Sequence, residues 1–165
     1  MTPIEVARSL IGLREATGHN DGPMIDKMLG YLGLPKGLSW CLAFCLWCWH
    51  PSDYPKIARC STFLEQVQSR EWKYDVYDQE DVAWKIKTPK PGTIMIFAHS
   101  KIAGHNNWNG HAAMFESMET RRKFHTIEGN TNAAGSREGD GVYNKIRTAK
   151  MGSMTLEGFV DIRKN

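Results

Sequence analysis

The chain of 165 residues carries a formal net charge of +3, with 41% hydrophobic and 24% charged residues. Length and composition are those of a soluble globular protein, and we predict one domain over residues 1–165. The basic residues are not clustered, which argues against a nucleic-acid surface. The longest apolar run, Trp40 to Trp49, is too short to span a bilayer, so no membrane partner is expected either.

The first half of the chain predicts four helices, over residues 3–15, 23–32, 41–49 and 62–70. Pro3 is placed at the start of the first helix, which has an amphipathic pattern. Gly33 and Pro35 end the second helix, and His50 with Pro51 ends the third. Ser61 is expected to be the N-cap of the fourth.

The second half of the chain has the character of a sheet. Residues 71–92 are mixed in character and end in a stiff proline-rich turn. A short apolar run at 93–98 and four further segments separated by turns then predict five strands, over residues 93–98, 111–117, 123–128, 142–147 and 156–162. Helices followed by antiparallel strands are typical of the α+β class, so we expect N-terminal helices packed on a C-terminal antiparallel sheet.

Side chains from three segments of the chain have the chemistry of a cysteine hydrolase. Cys41 lies where a loop gives way to the third helix, and a helix N-terminus lowers the pKa of a thiol. His111 opens a later strand and can accept the thiol proton. Glu128 and Asn130 close the next strand, and either side chain can orient the imidazole ring.

Strand geometry gives one condition that these residues must meet. Glu128 and Asn130 are two positions apart, so their side chains project to the same strand face. If the strands of His111 and Glu128 pair, one register brings these two residues together. We expect that meeting point on the sheet face covered by the Cys41 helix.

Four blocks of sequence resemble the CHAP family, the cysteine, histidine-dependent amidohydrolases/peptidases related to papain. The blocks are residues 38–48, 91–97, 110–117 and 126–130. The resemblance extends over roughly residues 5 to 162 and implies a papain-like CHAP fold and a single catalytic domain. It implies cleavage of peptidoglycan at the stem peptide, at a cross-bridge, or at the amide that joins glycan to peptide.

The resemblance also implies roles for individual residues. Cys41 corresponds to the nucleophile and His111 to the general base. Glu128 corresponds to the group that orients the imidazole, with Asn130 as the alternative. A mechanism through a thioester on Cys41 requires no metal and no cofactor, and none is expected.

Candidates for substrate contact lie in the loops near these residues. Trp108, in an Asn/Gly-rich loop before His111, is the best candidate to line the groove. Asn20, Asp21 and the loop 104–109 are expected to border the cleft. Trp40, next to Cys41, is a further candidate, although its expected role is to anchor the helix.

Two other chemistries are open to the cysteines. Cys41, Cys45, Cys48 and His50 are close in sequence, as in a zinc site, but thiols along one continuous helix do not surround an ion easily. The Cys45–Cys48 spacing is that of a thiol redox pair, yet it falls inside the helix and not at its start. We therefore expect Cys45 and Cys48 to be buried core thiols.

The alternatives to hydrolysis are a catalytically inactive module that binds wall peptides, and an acyl-transferase of the same fold. Residues 1–13 do not have the pattern of a secretory signal. We therefore expect synthesis in the cytoplasm and action on the cell wall, periplasmic or extracellular, after release as a phage lysin or secretion as an antibacterial toxin effector. Expected partners are peptidoglycan and, for an effector, an immunity protein; the protein itself is expected to be a monomer.

Overall fold

A computed structural model describes residues 1–51, 53–69, 74–99, 108–133 and 139–163. The helices in these ranges are α1 Pro3–Ser9, α2 Pro23–Tyr31, α3 Cys41–Trp49, α4 Cys60–Gln68 and α5 Gln79–Ala83. The strands are β1 Asp75–Tyr77, β2 Ile94–His99, β3 Asn109–Thr120, β4 Lys123–Thr131, β5 Gly141–Thr148, β6 Lys150–Met151 and β7 Met154–Asp161. No helix in the described residues combines the length and apolar composition needed to cross a membrane.

The strands form one antiparallel sheet in the order β1-β7-β2-β3-β4-β5, with β6 paired to β7. Four of the five helices precede β1, and α3 contacts α1, α2, β3 and β4. The predicted α+β class, with N-terminal helices packed on an antiparallel sheet, is confirmed. The five predicted strands correspond to β2, β3, β4, β5 and β7, with ends that differ by a few residues.

Both faces of the sheet are packed. Ala112 and Met114 of β3 point to the helices and belong to the main core, together with nearly all of α3. The alternate residues of the same strand, Ala113 and Phe115, belong to a second core on the opposite face. This core is closed by Val82 of α5, so the sheet separates two apolar layers.

The strands that pair with β3 change along its length. Strand β3 pairs with β4 from the Met114–Ile127 pair to the hairpin that joins the two strands. From Asn109 to Met114, it pairs with β2. The start of β3 therefore lies where its ladder with β4 has ended, next to the N-terminus of α3.

The predicted end of the first helix is corrected. The first helix ends at Ser9 and not near Glu15, and Gly12 adopts a positive φ of 95°. The backbone N–H of Glu15 instead donates to the Asp140 carbonyl at 2.8 Å, beside β5. The sheet edge thus satisfies backbone groups that a longer helix would have used.

The N-cap of α4 and the segment before β2 also differ from the predictions. Helix α4 begins at Cys60 with Arg59 as N-cap, so Ser61 lies buried inside the first turn. Residues 71–73 lie outside the described residues. Of the rest of 71–92, Asp75–Tyr77 form β1 and Gln79–Ala83 form α5. Asp78 caps α5 by accepting a hydrogen bond from the Asp81 N–H at 2.9 Å.

Candidate active site

Helix α3 places Cys41 at its first position, with Trp40 as the N-cap residue. The side chain of Trp40 makes no capping hydrogen bond, so it leaves the first-turn N–H groups of α3 available. The indole of Trp40 is fully buried and donates to Glu15 Oε1 at 2.8 Å. Trp40 therefore anchors the helix start that carries Cys41.

Gly129 of β4 allows α3 to come close to the sheet. A Cβ atom at this position would lie 2.7 Å from Cβ of Phe44 and 2.7 Å from Cζ3 of Trp40. Contacts that short do not occur between real side chains, so only glycine fits here. The glycine between Glu128 and Asn130 therefore sets the distance between the helix and the strand.

Cys41 and His111 lie against each other. The imidazole, the Cys60 thiol and the backbone N–H of Ala112 all stabilise the Cys41 thiolate. The hydrogen bond with Cys60 and the interaction with His111 lower the pKa of Cys41 well below its usual range, although burial raises it. A thiol in this setting is held as a thiolate.

The imidazole of His111 is correspondingly held as a cation. Burial alone would lower the pKa of His111, but Cys41 and Glu128 outweigh it and raise the pKa to about 9. Nδ1 is buried and forms no aligned hydrogen bond within the described residues. It is therefore the ring nitrogen left to exchange a proton with Cys41.

Glu128 binds the other side of the ring. His111 Nε2 lies 2.8 Å from Glu128 Oε2, and the carboxylate is fully buried. Burial would raise the pKa of Glu128, but Arg147 and His111 lower it far below its usual range. The carboxylate therefore remains charged and holds the imidazole in one orientation.

Arg147 and Thr126 support this carboxylate, and neither was predicted from the sequence. Arg147 of β5 is buried and donates through Nε to Glu128 Oε1 at 2.7 Å and through Nη2 to Oε2. Thr126 Oγ1 donates to Oε1 at 2.6 Å. A buried carboxylate needs such partners. The one sequence signal for them was that Thr126 shares the strand face of Glu128.

The structure brings His111 and Glu128 together, but not on the expected face. Their strand neighbours Ala113, Phe115 and Phe124 belong to the second core, whereas α3 covers the first. Cys41 nevertheless reaches the imidazole, because it lies at the end of α3 where β3 is no longer paired with β4. The prediction that His111 and Glu128 meet on the sheet face covered by α3 is therefore wrong. Cys41 reaches the imidazole at the point where the ladder between β3 and β4 ends.

Asn130 supports the loop before Cys41, on another side of the site. It lies in the left-handed region with φ of 52°, which asparagine tolerates better than most residues. Its Nδ2 donates to the Ser39 hydroxyl at 2.7 Å. Asn130 thus fixes the loop before Cys41, while Glu128 contacts the imidazole.

A cleft of about 260 Å³ opens over Cys41. Its walls are formed by residues from the loop before α3, the start of α4 and the start of β3: Leu38, Ser39, Cys41, Ala58, Arg59, Cys60, Trp108, Asn109 and Gly110. Trp108 and Asn109, from the predicted loop 104–109, therefore line it. Residues 104–107 lie outside the described residues.

The remaining candidates for substrate contact do not line this cleft. Trp40 is buried beneath it. Asn20 donates to the Gly37 carbonyl at 3.3 Å and so supports the loop that leads to the cleft. Asp21 accepts hydrogen bonds from the N–H and hydroxyl of Thr17, which closes its own loop.

The other thiols of α3 lie in a different environment from Cys41. Burial raises the pKa of Cys45 and of Cys48. His50 caps the far end of a nine-residue helix, about 13 Å from Cys41 at 1.5 Å per residue. No group of three or more metal-ligating side chains that could hold an ion occurs in the described residues.

A thiolate at a helix start beside a carboxylate-bound imidazole is the arrangement that cysteine hydrolases use. Residues 33–130, more than half of the chain, match the CHAP domain family. The chain belongs to this family, whose members are generally cysteine- and histidine-dependent amidohydrolases of the peptidoglycan-hydrolase type. No curated protein matches the chain.

Proposed function

We propose that this protein hydrolyses amide bonds of bacterial peptidoglycan through a thioester on Cys41. The observation that carries the proposal is the His111 imidazole, held by Glu128 Oε2 at 2.8 Å and close enough to Cys41 to lower the pKa of its thiol. Family membership supports the reaction class and the polymer. The roles of the individual residues follow from their positions.

In the first step, the Cys41 thiolate attacks the carbonyl carbon of the scissile amide. The carbonyl oxygen becomes an oxyanion, which needs hydrogen-bond donors already in place. The backbone N–H of Cys41, at the positive end of α3, is one such donor. The His111 imidazolium then gives its proton to the leaving amine, which departs and leaves a thioester.

In the second step, water replaces the amine at the same carbonyl. Neutral His111 removes a proton from that water, which attacks the thioester and releases the acid product with Cys41 again a thiolate. Glu128 stabilises the imidazolium each time it forms. Arg147 and Thr126 keep the carboxylate fixed between the two steps.

The lining of the cleft is chemically suited to a peptide. Its lining combines the apolar surfaces of Leu38 and Trp108 with polar groups of Ser39 and Asn109. Arg59 supplies a positive charge at its wall. Stem peptides carry carboxylates, so we expect Arg59 to bind one of them beside the scissile bond.

A phage lysin and a secreted antibacterial effector would use this site in the same way. For an effector, the surface that an immunity protein has to cover is the cleft over Cys41. Such an inhibitor would protect Cys41 from alkylation in a complex of the two purified proteins.

The direct test incubates purified protein with isolated peptidoglycan sacculi and identifies soluble fragments by mass spectrometry. Wild type and the control Cys48→Ala should release the same fragments, and Cys41→Ala should release none. The masses identify the bond that is cut. Release by Cys41→Ala would contradict the proposal, while products joined to an added amine would assign an acyl-transferase.

A further inference from the structure

A second thiol faces the Cys41 sulfur, and it forms or breaks no bond in the proposed hydrolysis. Cys60 is the first residue of α4, and its Sγ lies 3.9 Å from Cys41 Sγ. Both residues line the same cleft, so a small solute that reaches one sulfur also reaches the other. Neither is in a disulfide.

The position of Cys60 depends on the absence of a side chain at residue 110. A Cβ atom on Gly110 would lie 2.7 Å from Cβ of Cys60 and 3.1 Å from the Phe97 carbonyl oxygen. Gly110 therefore lets the start of α4 approach β3 beside Cys41. The two sulfurs meet because two backbone segments come unusually close.

We propose that Cys60 is a resolving thiol, which forms a reversible disulfide with Cys41 when a peroxide oxidises the cleft. The reagent is hydrogen peroxide or an organic hydroperoxide. This assigns Cys41 and Cys60 together as a redox modification site.

The chemistry proceeds in two balanced steps. The Cys41 thiolate attacks one oxygen of hydrogen peroxide, the S–O bond forms, the O–O bond breaks, and the departing hydroxide takes a proton from the His111 imidazolium. The Cys60 sulfur then attacks the sulfenic sulfur, the S–S bond forms and the S–O bond breaks. The hydroxide that leaves takes the Cys60 proton, so two thiols and one peroxide give one disulfide and two waters.

The surroundings suit both steps. The thiolate needed for the first step is the form in which the site holds Cys41. The pKa of Cys60 is raised by its hydrogen bond to Cys41, by burial and by the Cys41 charge. The Cys41 charge is lost once that sulfur is a sulfenic acid, which makes Cys60 easier to deprotonate for the second step.

Closure of the bond requires the sulfurs to move from 3.9 Å to about 2.05 Å apart. Cys60 follows residues 54–59, which form no helix or strand, so α4 can adjust at its start. Cys45 and Cys48 lie inside α3 with raised pKa values and do not compete. If the proposed function holds, the disulfide removes the nucleophile, and a dithiol restores it by exchange.

The test treats the full-length wild-type protein with hydrogen peroxide, alkylates the free thiols, and maps peptides without reduction by mass spectrometry. We expect a peptide joined through Cys41 and Cys60, lighter by two hydrogens than the sum of its parts. Titratable thiols should fall from the four in the sequence to two, and dithiothreitol should restore all four. These readouts do not depend on hydrolysis, so the disulfide and the proposed function fail separately.

Two variants sharpen the test. Cys48→Ser should give the same cross-link as wild type. Cys60→Ser should instead accumulate sulfinic acid on Cys41 that dithiothreitol does not reverse. Sulfinic acid on Cys41 of the wild type with Cys60 still alkylated, a cross-link to Cys45 or Cys48, or four unchanged thiols would each overturn the proposal. The wild type and Cys48→Ser decide it even if Cys60→Ser does not fold.

Discussion

His111 Nε2 and Glu128 Oε2 lie 2.8 Å apart between neighbouring strands, and both side chains are buried. The carboxylate fixes the ring through Nε2 and leaves Nδ1 for Cys41. Its charge also helps to raise the pKa of His111 to about 9. This contact thus sets the orientation of the proposed base and, together with Cys41, its protonation state.

Replacement of Glu128 by glutamine should reduce kcat/KM by about 10²–10⁴-fold, as loss of a group that orients a catalytic histidine does. The neutral amide no longer raises the pKa of His111, so the imidazolium is lost at lower pH than in the wild type. The basic limb of the kcat/KM profile should therefore move to lower pH. A profile with an unchanged basic limb would contradict the assignment of Glu128.

This variant also replaces the carboxylate that pairs with buried Arg147 by a neutral amide, and breaking a buried ion pair costs about 3–5 kcal/mol of unfolding free energy. The double variant Glu128→Gln, Arg147→Met removes both charges and should recover most of that stability. It should not recover activity. Denaturant melts measured beside kinetics therefore separate the positioning of His111 from folding.

The thiolate state of Cys41 gives a second prediction. Hydrogen bonding from Cys60 and interaction with His111 lower the pKa of Cys41, so His111→Gln raises it. At pH 6 the thiolate fraction, and with it the rate of iodoacetamide labelling at Cys41, should fall at least about tenfold. The control His125→Gln, which alters an exposed contact with Glu119 at 2.9 Å, should label like wild type. Equal labelling of both variants would show that His111 does not hold the thiolate.

Close packing of α3 on β4 gives a third prediction. Gly129→Ala places a methyl group 2.7 Å from Phe44 and Trp40 and should cost about 1–3 kcal/mol of unfolding free energy, with loss of activity because α3 shifts. A Cβ atom on Gly30, in α2, would meet no atom within 4 Å outside its own helix backbone. Gly30→Ala should therefore stabilise the protein by about 0.5–1 kcal/mol. Similar effects of the two changes in denaturant melts would refute this account of Gly129.

The charge at the cleft wall gives a fourth prediction. Arg59→Ala should raise KM for stem peptides that carry a free carboxylate by about 2- to 5-fold, as expected for a single exposed ion pair, with little change in kcat. Lys56→Ala, which removes a charge from the same segment outside the cleft lining, should leave KM unchanged. Amidated peptides should not distinguish Arg59→Ala from wild type. A KM that responds equally to both variants would assign the effect to net charge.

Local patterns were sufficient for much of the fold. Strand β2 is an apolar run, β3, β4 and β5 are strand-like segments separated by turn residues, and α3 is an apolar run bounded by a loop and by His50. The end of α1 could not be read in the same way, because it depends on hydrogen bonds to Asp140 and Val142, which are distant in sequence. The short elements β1 and α5 were missed because a mixed segment gives no periodic signal.

The candidate site, like the fold, could be predicted only in part from the sequence. The order of Cys41, His111 and Glu128 in the chain carried enough information to group them. The sequence was not sufficient to predict the contact of Arg147 with Glu128, because this contact arises from the register of β5 on β4. An arginine two positions after Lys145 on a strand reads as exposed, and only the folded structure shows that Arg147 is buried.

Trapping the thioester tests whether Cys41 is the nucleophile. Wild-type protein mixed with peptidoglycan peptides and quenched in acid within one turnover should carry a substrate acyl group on the peptide that contains Cys41. Cys48→Ala should carry the same adduct on the same residue, and hydroxylamine should release it. Hydrolysis that proceeds at full rate with no acyl group on Cys41, or with the adduct on another cysteine, would contradict the mechanism.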